Sequence, residues 1–205
     1  MTTSHEHHGD WDSRYSDQEQ IWSGAPNHAL TVEVADLHPG RALDVGCGEG
    51  ADAVWLAGRG WTVTALDPSG VALGRARAAA QAAGAEVTWV HGVLAEASLP
   101  VEGFDLVSVF YPALETDADP VARLASLVAP GGVLLVVHHA GVDRARALEH
   151  GFDPDTLMSS DDVAEGLGDA PGRWTVTGPE RRPREIAGGQ GAHHHDDLVV
   201  RAVRS

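Results

Sequence analysis

Gly46, Gly48 and Gly50 alternate in the run Ala42-Leu43-Asp44-Val45-Gly46-Cys47-Gly48-Glu49-Gly50, where a short apolar strand meets a turn. Glycine there lets the chain bend sharply and lets a ligand press on the main chain, where a Cβ would collide. A second apolar run, Thr62-Val63-Thr64-Ala65-Leu66, ends in Asp67, about 20 residues further on. A carboxylate at that strand tip is placed to accept hydrogen bonds from ribose hydroxyls. Together these features imply a nucleoside-containing cofactor. The turn leaves its class open: Gly46, Gly48 and Ala51 also fit the looser G-x-G-x-x-A spacing, in which a pyrophosphate rests on a helix N-terminus. A nicotinamide-dependent oxidoreductase is therefore one alternative.

His138 and His139 close another apolar run, at the carboxyl edge where open α/β sheets hold ligands. Imidazole titrates near working pH, so either is a candidate base or substrate ligand, and each reads equally as a hydrogen-bonded strand-end residue. Adjacent strand residues point to opposite faces, so a pocket receives one of the two. His193-His194-His195-Asp196-Asp197 offers metal-ligand chemistry. Consecutive loop residues seldom converge on one ion, and no metal site is expected there or at His5, His7 and His8.

These residues need a frame. Strands are expected at 41–45, 61–66, 86–91, 104–110 and 132–138, alternating with helices at 51–59, 69–83 and 118–128. A further helix at 27–37 precedes them, with Leu30, Val34 and Leu37 at helical spacing. Such alternation implies a parallel sheet with helices on both faces. Residues 141–170 read as a long connection with one helix near 160–167, capped by Ser159 or Ser160, before two final strands at 173–177 and 197–203. The expected organisation is a flexible tail over 1–10 and a single domain over 11–205. Within it, 11–40 is a lid, 41–140 a cofactor-binding core and 141–205 a substrate-side connection with a terminal strand pair.

The chain has 205 residues, a hydrophobic fraction of 43% and a formal net charge of −16. That size suits one α/β domain. No apolar run approaches the ~20 residues that span a bilayer, and no signal-peptide core precedes the domain, so a cytoplasmic protein without membrane attachment is expected. A lone cysteine, Cys47, forms no internal disulfide. All 14 basic residues are arginine, and so acidic a chain repels phosphate backbones. Nucleic acid is not an expected partner, although Arg181, Arg182 and Arg184 cluster locally.

The G-x-G-x-G spacing, with Asp44 two residues ahead, resembles motif I of the class I S-adenosylmethionine-dependent methyltransferases. Phe104-Asp105-Leu106-Val107-Ser108-Val109-Phe110 is similar to their fourth strand, and Ala129-Pro130-Gly131-Gly132 with the following valine-leucine run to the turn into their fifth. The lead-in Trp11-Asp12-Ser13-Arg14-Tyr15, then Ile21-Trp22-Ser23-Gly24-Ala25-Pro26-Asn27, resembles that of the small tellurite-resistance and thiopurine methyltransferases. The resemblance implies a Rossmann-like, doubly wound sheet of about seven strands, mostly parallel, with an antiparallel last strand. It implies S-adenosyl-L-methionine as cofactor, S-adenosyl-L-homocysteine as product and a small-molecule acceptor, in a monomer or homodimer.

By the same resemblance, Gly46, Cys47, Gly48 and Gly50 cradle the cofactor, Asp44 orders its amino-acid end, and Asp67 with Pro68 holds the ribose. Val93 stands where the family commonly has an acidic residue for the adenine amino group, so backbone at Val93 and Leu94 is left to hold the ring. Phe110 and Tyr111 line the methyl side, with Tyr111, His138 and His139 the candidate bases. Trp22 offers an aromatic face to the sulfonium. Val93 also leaves room for a non-catalytic S-adenosylmethionine-binding module.

Overall fold

The computed structural model describes residues 11–100, 103–149, 153–185, 188 and 194–205. The expected tail over 1–10 lies outside them, as do His5, His7, His8 and His193. The described residues group into two compact units, one formed by residues 11–99 with residue 188 and the other within Pro100–Glu185 and His194–Ser205.

In the first unit, β1 (Arg41–Val45), β2 (Thr62–Asp67) and β3 (Val87–His91) pair in parallel in the order β3-β2-β1. Ala42, Leu43, Asp44 and Val45 are all buried, as befits a parallel strand covered on both faces. Residues 11–16 form α1, followed by α2 (His28–Glu33), α3 (Ala51–Ala57) and α4 (Gly70–Ala83). Ser69 caps α4 by accepting the Ala72 N–H, and Gly84 ends it in a left-handed conformation at φ 65°. Its buried residues Ala72, Leu73, Ala76 and Ala80 make one helical stripe, and burying Leu73 alone contributes about 2 kcal/mol. α2 stops at Glu33, short of the expected 37. Asn27 gives it no side-chain cap, and the Asn27 Nδ2 donates instead to Asp52 Oδ2 at 2.8 Å.

The second unit holds β4 (Phe104–Phe110), β5 (Val128–His139), β6 (Trp174–Pro183) and β7 (Asp196–Arg204) in the order β4-β5-β7-β6. β4 and β5 are parallel, while β7 runs antiparallel to both β5 and β6. β5 begins before the expected 132 because Val128 already pairs with Phe104, and the register then shifts around the Pro130-Gly131-Gly132 turn. β6 likewise outruns 173–177, resuming its pairing after a register shift between Thr177 and Glu180. The helices are α5 (Pro120–Leu127), α6 (Arg144–Glu149) and α7 (Ser160–Gly166). α6, which the sequence did not announce, lies in the long connection. Ser159 caps α7 as expected, in a reciprocal box with Asp162.

The strand complement is that of a mixed seven-stranded, Rossmann-like α/β sheet, mostly parallel with an antiparallel last strand. Among the described residues no helix is long and apolar enough to cross a membrane.

Candidate active site

Asp67 organises the first unit's site. Its Oδ2 accepts the Gly48 N–H at 2.7 Å and its Oδ1 the Ser69 N–H at 2.8 Å. The N–H groups of Gly46 and Cys47 both reach the Leu66 carbonyl, at 2.8 and 3.0 Å. The turn after β1 is thereby fastened to the tip of β2. Burial raises the Asp67 carboxyl above its ordinary range, and the Ser69 and Gly48 N–H groups pull it back down. Asp44 is buried one strand over, at the register position opposite Ala65. The Cys47 thiol is pushed up by burial and then by the charges of Asp44 and Asp67, which favours its protonated form.

Two glycines of the turn differ in purpose. At Gly46 (φ +71°) no described atom lies within 4 Å of where a Cβ would stand. At Gly50 (φ +83°) that Cβ would meet the Ala76 Cβ at 2.7 Å and the Trp89 ring at 2.9 Å. Gly50 is there for close packing of the turn against α4 and β3.

The N-terminal segment covers the turn. Trp22 Nε1 donates to the Tyr15 hydroxyl at 2.9 Å, and both groups lie against the position of a Gly48 Cβ. Glu49 accepts the backbone N–H groups of Ile21 (3.1 Å) and Trp22 (2.9 Å) and pairs with Arg75 at 2.8 Å. Arg75 also donates to the Tyr15 and Gln18 carbonyls. Asp12 accepts the Ser69 hydroxyl at 2.6 Å and the Val71 N–H at 3.1 Å. Tyr15 and Ile21 pack on Ala72 beneath these bonds.

In the second unit the expected bases separate. His138 turns toward the start of α7, its Nε2 on the Met158 carbonyl and its Nδ1 on the Ser160 hydroxyl, both at 2.9 Å. Burial holds its imidazole below the usual value, and both of its ring nitrogens are engaged by α7 and the residues before it. His139 takes the other face and stacks between Tyr111 (centroids 3.9 Å apart) and His194 (4.0 Å). Tyr111 follows β4 with an unusual positive φ of 50°, and its hydroxyl donates to Asp197 Oδ2 at 3.0 Å. Burial and the Asp197 charge raise the Tyr111 phenol, which makes it a donor here. The Arg184 guanidinium lies 4.9 Å from the centre of the Tyr111 ring, with its Nε 3.8 Å from Asp197 Oδ1.

Residues 42–132 match the family model described as a methyltransferase domain. An uncharacterized methyltransferase of Mycobacterium tuberculosis is 37% identical over 122 residues, covering 58% of this chain and 61% of that protein. The chain thus spans about three fifths of the curated relative it matches. A solved structure concerned with converting a disulfide bond into a thioacetal group during echinomycin biosynthesis is 27% identical, with a TM-score of 0.72 over 96% of this chain and 92% of that one. Magnesium protoporphyrin IX methyltransferase of Synechocystis, solved with bound S-adenosylhomocysteine, shares the fold at 23% identity and a TM-score of 0.63, over 86% of this chain and 80% of that one. Other matched relatives are named as ribosomal or transfer RNA methyltransferases. None of these similarities singles out the tellurite-resistance and thiopurine branch.

The residues present fit S-adenosylmethionine, the cofactor that the sequence resemblance implies. Each Asp67 oxygen carries two lone pairs and spends one on a backbone N–H, which leaves acceptor capacity for ribose hydroxyls. Gly46 presents backbone with open space beyond it. Of the other expected contacts, the Pro68 carbonyl is bonded to His91 Nε2 at 2.9 Å, and the Val93 carbonyl is bonded to the Glu96 and Ala97 N–H groups. Leu94 and Phe110 are buried. Among the described residues no cluster of histidine, cysteine or carboxylate is arranged to hold a metal. Sequence reasoning missed Asp12, Glu49 and Arg75, which fasten the N-terminal segment, and Asp197, His194 and Arg184, which surround His139.

Proposed function

We propose that the protein methylates a small-molecule nucleophile by in-line displacement, with His139 on the acceptor side. Bound S-adenosylmethionine supplies an activated methyl group on a sulfonium. The domain's own work is then alignment and exclusion of water. In the first unit Asp67 and the turn at Gly46 and Gly48 hold and orient the nucleoside, with Asp44 beneath them, and Tyr15 and Trp22 exclude water. In the second, Tyr111 and His139 present the acceptor. We also assign the two units to one working methyltransferase, a monomer or homodimer in the cytoplasm.

One observation favours a small molecule over RNA. The arginine cluster that offers most to a phosphate backbone is committed to acids: Arg181 to Asp196 at 2.8 Å, Arg182 to Glu180 at 2.7 Å, and Arg184 beside Asp197. A chain of net charge −16 whose basic cluster is neutralised from within is poorly equipped to release counterions from nucleic acid. The RNA methyltransferases among the relatives make RNA the second reading. Incubation with radiolabelled methyl donor separates the two, using thiols, amines, phenols, carboxylic acids and disulfides beside ribosomal and transfer RNA. Label in a small acceptor supports the proposal, and label in RNA alone overturns it.

A further inference from the structure

His139 and Asp197 are direct cross-strand partners in the antiparallel β5–β7 ladder, and their side chains lie together on one face. His139 Nδ1 stands 3.6 Å from Asp197 Oδ1. Both atoms are buried, and neither has a hydrogen-bond partner among the described residues. The other carboxylate oxygen is occupied by the Tyr111 hydroxyl. The His139 ring is held in plane by Tyr111 on one side and His194 on the other, yet its side chain keeps 17% of its surface exposed. Arg184 is the cation beside the same carboxylate, and His138 is the next residue of the strand.

We infer that Asp197 is a positioning residue that fixes the proton of neutral His139 on Nδ1, leaving Nε2 to take a proton from the methyl acceptor. A bare Nδ1 lone pair facing a buried carboxylate oxygen is repelled, whereas an N–H there answers both orphaned atoms at once. The 3.6 Å separation is longer than a formed hydrogen bond, and catalytic contacts of this kind are often long without substrate and tighten in the complex. Tyr111 supports the arrangement by holding Oδ2, so Oδ1 is the oxygen that faces His139, with the Arg184 Nε 3.8 Å from it, outside the hydrogen-bond range.

This inference rests on the methyl-transfer reading and narrows its acceptor to one that carries a dissociable proton, an O–H or N–H group. The acceptor's lone pair forms the bond to the methyl carbon, and the carbon–sulfur bond of the sulfonium breaks with its electron pair left on sulfur. The acceptor's proton passes to His139 Nε2 and from the imidazolium to water. Asp197 stays ionised throughout and offsets the charge gained by His139.

The test is nitrogen NMR of the full chain labelled with 15N-histidine, without ligand, in mildly alkaline buffer. His139 is assigned by the signal lost in His139→Gln. The expected result is a protonated Nδ1 and a bare Nε2. Asp197→Asn keeps its carbonyl on the Tyr111 hydroxyl and turns its amide N–H toward Nδ1, so His139 should switch to the Nε2-protonated form. Tyr111→Phe leaves the carboxylate in place and should preserve the original tautomer. An Nε2-protonated His139 in the unsubstituted protein overturns the inference, whether or not the Asp197 variant folds. Calorimetry with S-adenosylhomocysteine on the same samples keeps the two readings apart. Cofactor binding with the wrong tautomer removes the role of Asp197 alone, whereas no binding in the unsubstituted protein removes the methyl-transfer reading.

Discussion

Asp67 Oδ2 accepts the Gly48 N–H at 2.7 Å, so the residue expected to hold the ribose is also the one that fixes the turn. Replacing Asp67 therefore has two effects. Asp67→Ala leaves the Gly48 and Ser69 N–H groups without their acceptor, costing about 1–3 kcal/mol of stability. It should also weaken S-adenosylhomocysteine binding at least tenfold, by the loss of a charge-assisted hydrogen bond. Thermal denaturation and calorimetry on one preparation measure both.

The two glycines at opposite ends of the turn should respond differently to alanine. Gly50→Ala drives a Cβ to 2.7 Å from that of Ala76 at a φ of +83°, and the overpacking and strain should cost on the order of 3 kcal/mol. Gly46→Ala meets no described atom within 4 Å, so only the backbone term of about 1–2 kcal/mol applies. Its larger effect should fall on cofactor affinity. Denaturant midpoints and cofactor titration of the two variants give the comparison, and equal stability losses would contradict it.

Glu49 holds the N-terminal segment through main-chain N–H groups, which makes the strap measurable without a substrate. In Glu49→Ala the amides of Ile21 and Trp22 lose their acceptor and should exchange with solvent at least tenfold faster, for about 1.4 kcal/mol of local stability. Amides of β1 should be unchanged. Hydrogen exchange followed by mass spectrometry or NMR resolves the two regions.

Asp162 predicts a pH dependence of known sign. The Ser159 hydroxyl, then the Ser159 N–H, hold its carboxyl below the ordinary 3.8. A lowered folded value means that the capping box contributes fully above the unfolded value and is lost as pH falls through the folded one. The stability difference between the protein and Ser159→Ala should be constant near neutrality and shrink below about pH 4. Asp67 and Asp52 act in the opposite sense, because burial raises both. Their contribution is complete below the unfolded value and lost as pH rises through the folded ones. Urea midpoints across acidic and neutral pH follow these trends.

The parts of the site legible in the sequence are those carried by consecutive residues. The turn at Gly46–Gly50 and the tip at Asp67 are set by local backbone demands, and β4 runs over 104–110 as its apolar pattern implies. The parts that escaped depend on register. Nothing local to Asp197 reveals that an antiparallel ladder sets it opposite His139. Strand alternation shows that His138 and His139 diverge, but it does not tell which one the start of α7 captures at Met158 and Ser160. The strap was read through its aromatic residues, while the groups that fasten it are Asp12, Glu49 and Arg75, polar side chains whose partners lie dozens of residues away. α2 is shorter than its apolar spacing implies because beyond Glu33 the chain closes three-residue turns, with the Ala35 N–H on the Val32 carbonyl and the Leu37 N–H on the Val34 carbonyl, which keep the same residues near one face.

The most direct test of the central claim is calorimetric titration of the ligand-stripped protein with S-adenosylmethionine, S-adenosylhomocysteine and NADH. The account predicts saturable micromolar binding of the first two, lost in Asp67→Ala, and none of NADH. Binding of NADH with neither adenosyl compound would contradict it.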